Sequence, residues 1–229
     1  MDVGHGLHTD ELNRINLPPS LRLEENTVQA LINHIYPGLS QLQPSLHQYF
    51  SDRMILSSRN DDVDDLNSLM LDTFSGEDRT FFSNDTVAND RSEDGELMYS
   101  AEYLNNINCS GLPLAKLRLK IGCPVMVLRN LYPSEGVCNG SRGIVKRMST
   151  RVIEIELLSE DYRGKRVFIP RIKLTPADSQ VPFKLERFQF PLKLCFARTV
   201  SQFRGSQYED SGFYTWSILC RSFKSQVSK

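Results

Sequence analysis

The sequence lacks the usual signals of a secreted, membrane-bound or metal-binding protein. No stretch reaches about 18 consecutive apolar residues, the length that crosses a membrane, and residues 1–12 have neither a basic region nor an apolar core for secretion. The five cysteines form no Cys-x-x-Cys pair and the four histidines are scattered, so neither a zinc site nor a disulfide framework is supported. We expect an intracellular protein without a membrane span or a metal site.

A phosphate-binding loop is also absent from the sequence. No string matches G-x-x-x-x-G-K-[ST], whose backbone N–H groups and lysine hold nucleotide phosphates, and no acidic pair ends an apolar strand to hold Mg²⁺. The chain alone is therefore predicted neither to bind nor to hydrolyse ATP, and no cofactor is expected on it.

Charge is unevenly distributed although the net charge is only −1. Residues 1–100 hold 6 Lys and Arg against 18 Asp and Glu, whereas residues 101–229 hold 21 against 10, so the second part carries the candidate polyanion surface. Its basic residues include Lys116, Arg118, Lys120, Arg129, Arg142, Lys146, Arg147, Arg163, Lys165, Arg166, Arg171 and Lys173. They are either solvated strand edges that prevent aggregation or a contact surface for a polyanion.

Residues 109–174 have the pattern of a small β-module. Apolar residues alternate with charged ones in short runs, and Asn139-Gly140 and Arg163-Gly164 supply turns between runs. The predicted strands are 117–121, 125–128, 143–148, 151–157 and 166–172. About five short strands at this spacing predict a small barrel or a strongly bent sheet.

Helices and strands are predicted on both sides of this module. Asn60 is expected to be the N-cap of a helix that begins with the acidic run 61–65, a solvated helix start rather than a metal cluster. The apolar stripe of that helix is predicted to be Val63, Leu66, Met70 and Phe74. The other predicted elements are a helix at 27–35, a strand at 53–57, a loop-rich bridge at 75–108 and one buried strand at 188–200.

One turn of the β-module is the best candidate for the polyanion contact. Arg129 and Asn130 end one predicted strand, and residues 139–142 begin the next, so a hairpin-like connection brings both groups to one edge. We expect Arg129 and Arg142 to hold phosphates, while Gly140 allows close backbone approach and Asn130 and Asn139 donate hydrogen bonds. The alternative is that the asparagines only satisfy turn backbone and the arginines are solvated.

Several strings together resemble the petite-integration-frequency (PIF-type) DNA helicases of superfamily 1B, in their PIF-like and Helitron-like branch. LRLKIGCPVMVLRNL, the turn from Gly136 to Arg142 and FIPRI are similar to the SH3-like insertion of that family. RMILSSRNDDVDDLNSLML before the module and FQFPLKLCFARTVSQFRGSQ after it are similar to flanking motor segments. The resemblance covers roughly residues 20–214.

The resemblance implies an α/β fold: a second RecA-like (P-loop NTPase-type) motor domain interrupted by an SH3-like small β-barrel insertion. The implied organisation is a connecting segment at 1–20, the first part of the motor domain with the loop-rich bridge at 21–108, the inserted β-module at 109–174, and a return to the motor domain at 175–229.

The function implied is that of the C-terminal fragment of an ATP-dependent 5′-to-3′ DNA helicase in the nucleus. This part would grip single-stranded DNA and close over ATP and Mg²⁺ held by a first motor domain, in cis or in trans. Two alternatives remain open, a non-catalytic single-stranded DNA-binding module and a protein-interaction module derived from a helicase.

The family's remaining motor motifs are present in altered form. Its motif T-[IV]-[NH]-K-S-Q-G is similar to TVSQFRG here, which keeps Thr199, Val200 and Gly205 but not the Lys-Ser-Gln core. Arg221 is the candidate for the arginine that reaches the γ-phosphate, the alternative being a basic tail without that role. Asn60 joins the hairpin residues among the expected DNA contacts.

Overall fold

The computed structural model describes residues 23, 25, 27–41, 47–87, 99–109, 111–176 and 182–199. The chain divides into two compact units, residues 1–37 and residues 38–229. The predicted connecting segment at 1–20 lies outside the described residues.

The first unit contains the helix α1, Val28–Ile35. The Thr27 side chain accepts a hydrogen bond from the Ala30 amide at 3.1 Å, which satisfies one of the free amides at the helix start. The buried face contains Leu31, Ile32 and Ile35. The helix predicted at 27–35 is confirmed.

The second unit contains, within its described residues, three α-helices and twelve strands. The helices are α2 (His47–Ser51), α3 (Asn60–Thr73) and α4 (Ala101–Asn105). The strands are β1 (Ile55–Ser57), β2 (Asp78–Phe82), β3 (Asn84–Val87), β4 (Lys116–Lys120), β5 (Pro124–Val127), β6 (Arg142–Met148), β7 (Val152–Leu157), β8 (Arg166–Pro170), β9 (Ile172–Leu174), β10 (Leu185–Gln189), β11 (Leu192–Leu194) and β12 (Ala197–Thr199). None of the described helices is long and apolar enough to cross a membrane.

These strands form four sheets. The largest is antiparallel, in the order β11-β5-β6-β7-β8, and the second has the order β3-β10-β9. β2 pairs with β4, and β1 pairs with β12 in parallel. The core of the largest sheet includes Val125, Val127, Ile144, Ile153, Ile155 and Ile169. The mixed α/β class is confirmed, and β4, β5, β6 and β7 lie where the sequence predicts short strands.

The pairing of β4 differs from the prediction. β4 does not join the large sheet. It pairs with β2, where Leu117 is opposite Phe81, and β11 from beyond residue 174 forms the edge of the large sheet instead. The described residues of the segment 75–108 are therefore not a loop-rich bridge, because they include β2, β3 and α4. In β2 and β3, Thr80, Asn84 and Thr86 face solvent, whereas Phe81 and Val87 are buried.

The single buried strand predicted at 188–200 is wrong. Pro191, which has no N–H to give to a ladder, lies where the chain leaves β10 and enters β11, and β12 then joins a third sheet. Phe188 at the start of the predicted strand is exposed. The strand predicted at 166–172 is likewise two strands, β8 and β9, separated by Arg171.

Helix α3 packs on β12 through a buried amide. The Asn67 side chain donates to the Ala197 carbonyl at 3.1 Å and accepts from the Ala197 amide at 2.9 Å. The predicted stripe of α3 is buried, which confirms it. The N-cap prediction is wrong, because Asn60 is the first helical residue and Arg59 occupies the cap without a side-chain hydrogen bond. Ser57 takes over part of this role, since its hydroxyl accepts from the Arg59 amide.

Candidate nucleic-acid interface

The predicted hairpin connection is present between β5 and β6. Met126 lies opposite Arg142 in the antiparallel pair, so residues 128–141 return the chain to the same edge. The Gly140 amide donates to the Val127 carbonyl at 2.8 Å, and the Val127 amide donates to Ser141 at 2.8 Å. These bonds place both groups of candidate DNA-binding residues together, as the sequence predicts.

The Asn130 side chain joins the two ends of the connection between β5 and β6. Its side-chain oxygen accepts from the Asn139 amide at 2.8 Å, so this oxygen satisfies turn backbone, as the alternative interpretation states. Gly140 adopts a φ of 90° with open space around it, a conformation that favours glycine. Asn130 and Asn139 are exposed at this turn.

The predicted phosphate-binding role of Arg142 does not fit its surroundings. The residue is only 7% exposed, and Nη2 donates to the carbonyls of Phe50 at 2.8 Å and Arg53 at 3.2 Å. Arg142 therefore links β6 to the chain around α2 through hydrogen bonds to two carbonyl oxygens.

Arg129 is half-buried and also held by the backbone. Nη1 donates to the carbonyls of Gly111 at 3.0 Å and Leu128 at 2.9 Å, while Nη2 donates to Thr175 at 3.1 Å. The guanidinium is thus fixed in position while part of it faces solvent. Of the two arginines, Arg129 is the more exposed, and its role in DNA binding stays a prediction.

Most of the other basic residues have acidic or carbonyl partners. Acidic partners are within 4.0 Å in the pairs Lys146–Glu156, Arg147–Glu154, Arg166–Glu154, Lys165–Glu135, Arg118–Asp72 and Lys173–Glu186, and Arg118 also binds Asp78. Lys120 is buried and its ammonium donates to the Phe74 carbonyl at 2.7 Å. The hydrogen bond from Lys173 lowers the pKa of Glu186. The positive surface is therefore smaller than the sequence count indicates.

The remaining candidate residues lie elsewhere. Asn60 is exposed at the start of α3, outside the hairpin. Thr199 is buried in β12 opposite Ser57. Gly205 and Arg221 lie outside the described residues. The structure therefore brings together only the hairpin members of the predicted set.

Two exposed aromatic residues were missed by the sequence interpretation. Phe82 is 59% exposed on β2, and Phe188 is 42% exposed on β10. No local pattern in the sequence marks them as exposed, because Phe188 lies between Arg187 and Gln189, two polar residues that are buried.

The described residues contain no group of three or more His, Cys, Asp or Glu side chains that could hold a metal ion. A cleft of about 80 Å³ lies between α3, β4 and β11, with Leu71, Leu117 and Leu192 among its lining residues. Sites for small-molecule ligands usually exceed about 300 Å³, so this cleft is too small for a nucleotide.

Comparison with known proteins defines the class of the β-module. Residues 102–148, which contain α4, β4, β5, the hairpin and β6, match the family model described as the 2B domain of the DNA helicase Pif1. This part of the module is therefore similar to the Pif1 2B domain, which is an SH3-like insertion. The curated ATP-dependent DNA helicase Pif1 of Bdellovibrio bacteriovorus is 34% identical over 99 residues, which are 43% of this chain and 21% of that protein.

The chain is a partial relative of the Pif1 helicases, which confirms the predicted PIF-type resemblance. It spans about a fifth of the length of the curated relative. Among solved structures, Candida albicans Pif1 aligns with a TM-score of 0.48 and 20% identity over 78% of this chain and 45% of that one. Unliganded Pif1 from Bacteroides sp aligns with a TM-score of 0.45 and 22% identity over 70% of this chain and 46% of that one. The relationship rests on the sequence matches, since both scores are below 0.5.

Proposed function

We propose that this chain is the C-terminal, DNA-gripping part of an ATP-dependent 5′-to-3′ DNA helicase that acts in the nucleus. The observation that carries the proposal is the match of residues 102–148 to the Pif1 2B domain, which contains the exposed hairpin with Arg129 and Asn130. A crystal structure of Bacteroides Pif1 bound to single-stranded DNA exists among the structures to which the chain aligns. Single-stranded DNA is accordingly the proposed partner.

The proposed division of labour follows from the absent phosphate loop. ATP and Mg²⁺ would be held by a first motor domain, in cis or in trans, because this sequence has no loop or acidic pair to hold them. The parallel pair β1-β12 and helix α3 would belong to the second RecA-like motor domain. Thr199, Gly205 and Arg221 would lie where the two motor domains close over ATP. The chain alone is then inactive as an ATPase.

A steady-state ATPase assay with Mg²⁺-ATP and saturating single-stranded DNA tests this division. We expect no turnover by the chain, with Bacteroides Pif1 as the active control. Turnover of about 1 s⁻¹ or more, within the ordinary range of enzymes, would contradict the proposal.

Binding of single-stranded DNA is tested by fluorescence anisotropy of a labelled oligonucleotide at several salt concentrations. If the chain neutralises about four phosphates, the slope of log affinity against log salt is about −3, at roughly 0.7 per phosphate. A flat salt dependence, or no binding at low salt, would instead support the protein-interaction alternative.

A further inference from the structure

A second surface with aromatic and basic side chains lies outside the hairpin. β2 and β3 are separated only by Ser83, and exposure alternates from Phe81 near the end of β2 to Val87 at the end of β3. Phe82, Asn84 and Thr86 are exposed, whereas Phe81, Asp85 and Val87 are buried. Because side chains alternate between the two faces of an extended chain, the exposed three share one face.

Phe188 lies on the same face. In the β3-β10-β9 sheet it is directly opposite Asn84 on one side and Lys173 on the other. Phe82 is two residues before Asn84 in the chain, where it passes from the β2-β4 pair into this sheet. The two exposed phenyl rings therefore lie on either side of Asn84, one along the chain and one by strand pairing.

A lysine lies beside each ring. Lys116 is opposite Phe82 in the β2-β4 pair, and its Nζ is 5.8 Å from the centre of the Phe82 ring. Lys173 is opposite Phe188, its side chain is 64% exposed, and it binds Glu186 at 2.9 Å. We name Phe82, Phe188, Lys116 and Lys173 the two-ring face.

The backbone beneath the two-ring face is fixed. Arg171 donates from Nη1 to the Phe82 carbonyl at 3.0 Å, and its guanidinium lies 4.9 Å from the centre of the buried Phe190 ring. The Gln189 side chain donates to the Phe81 carbonyl at 2.9 Å. These contacts connect β2 to β10 and to Arg171 just before β9, so both rings are presented on hydrogen-bonded strands rather than on a loop.

We propose that the two-ring face stacks bases of single-stranded DNA on Phe82 and Phe188 while Lys116 and Lys173 contact the adjacent phosphates. The inference rests on the proposed function for its partner, and it adds a binding surface separate from the hairpin. Stacking on aromatic rings tolerates any base, and nearby cations supply the electrostatic part of binding. Because a lysine lies beside each ring, the two-ring face fits a polyanion better than it fits an apolar protein surface. Apolar patches that bind proteins usually cover several hundred Å².

Replacing Phe82 and Phe188 by leucine tests base stacking without removing a charge. Phe82→Leu and Phe188→Leu are each expected to weaken binding of a labelled oligothymidylate about five-fold or more, as expected for the loss of one stacked base. The salt slope should not change, because no cation is removed. Phe168→Leu is the matched control, since Phe168 is 61% exposed on β8, away from the two lysines. Replacing Lys116 and Lys173 together by Gln should reduce the slope by about 1.4.

Ultraviolet cross-linking to a bromodeoxyuridine oligonucleotide, followed by peptide mapping, locates the strand directly. Adducts at Phe82 or Phe188 and none at Phe168 would support the proposal. If both Leu variants bind as the parent chain does while Arg129→Ala weakens binding, the two-ring face is not a DNA site and the proposed function stands. If the parent chain does not bind single-stranded DNA, the DNA-gripping function and this inference are both wrong.

Discussion

Arg187 and Asp85 form an ion pair that is closed to solvent. Arg187 Nη2 is 2.7 Å from Asp85 Oδ2, and the side chains are 1% and 0% exposed. The guanidinium also donates to the carbonyls of Pro113, Leu104 and Ile107 at 2.9 to 3.2 Å, so each of its nitrogens has an acceptor. The pair connects β3 and β10 to the segment that leads from α4 to β4.

Removing one member of this pair should be costly. Arg187→Met leaves the Asp85 carboxylate buried without its partner, and we expect a loss of about 3–5 kcal/mol in the free energy of unfolding, measured with urea. Lys173→Met breaks the exposed pair with Glu186 and should cost about 1 kcal/mol or less. Equal losses for the two variants would mean that burial does not determine how much the Arg187–Asp85 pair contributes to the free energy of unfolding.

Arg142 and Arg129 should respond differently to replacement. Arg142→Ala leaves the carbonyls of Phe50 and Arg53 without this donor and should lower the free energy of unfolding by about 1–3 kcal/mol, while the salt slope of DNA binding is unchanged. Arg129→Ala should reduce that slope by about 0.7. Urea unfolding and anisotropy titrations of both variants check this, and a reduced slope for Arg142→Ala would restore the phosphate contact predicted from the sequence.

Gly136 and Gly140 provide a matched pair of glycines. Both have a positive φ, 80° and 90°, so alanine at either position should cost about 1–2 kcal/mol in backbone strain. A Cβ at Gly136 would also lie 2.6 Å from Tyr162 Cγ, whereas Gly140 has open space. Gly136→Ala should therefore lower the urea midpoint more than Gly140→Ala. Similar midpoints would show that the Tyr162 ring moves aside without cost.

Cys123 should make stability fall at alkaline pH. Burial raises the pKa of this thiol to about 12 from 9.0, so between these values the unfolded chain loses a proton that the folded chain keeps. The free energy of unfolding therefore decreases as pH rises from about 9, by at most about 1.4 kcal/mol per pH unit from this group. Urea unfolding at pH 8, 9 and 10 should show a smaller decrease for Cys123→Ala. If the free energy of unfolding falls equally in Cys123→Ala, the loss of stability at alkaline pH comes from other groups.

The sequence predicts those elements whose pattern is local. The strands of the module and the stripe of α3 follow from alternation and from helical spacing, because one face of each is buried. The pairing of β4 with β2 is set by distant residues, so no local pattern distinguishes it from pairing within the module. Pro191 was the missed signal in the segment 188–200, since apolar composition alone suggested one buried strand.

The candidate site was predicted in its position but not in its chemistry. Turn residues located the hairpin, whereas Arg142 and Lys120 are buried and bind carbonyls that no spacing rule identifies. A basic residue in a sequence has a known charge, but its partners come from the folded chain. For the same reason, Phe82 and Phe188 carry no mark of exposure until the sheet places their neighbours.

The position of β11 has a consequence for the order in which the molecule can assemble during synthesis. β11 pairs with β5, so Leu192 must reach Val127 before the large sheet has its outer strand. Until residue 194 has left the ribosome, the open side of β5 is an apolar edge, since all four of its residues are buried in the final structure. Such an edge attracts other nascent chains, and pairing across so long a separation is slow. A chain terminated after residue 176 would therefore accumulate as aggregate rather than as a small free domain.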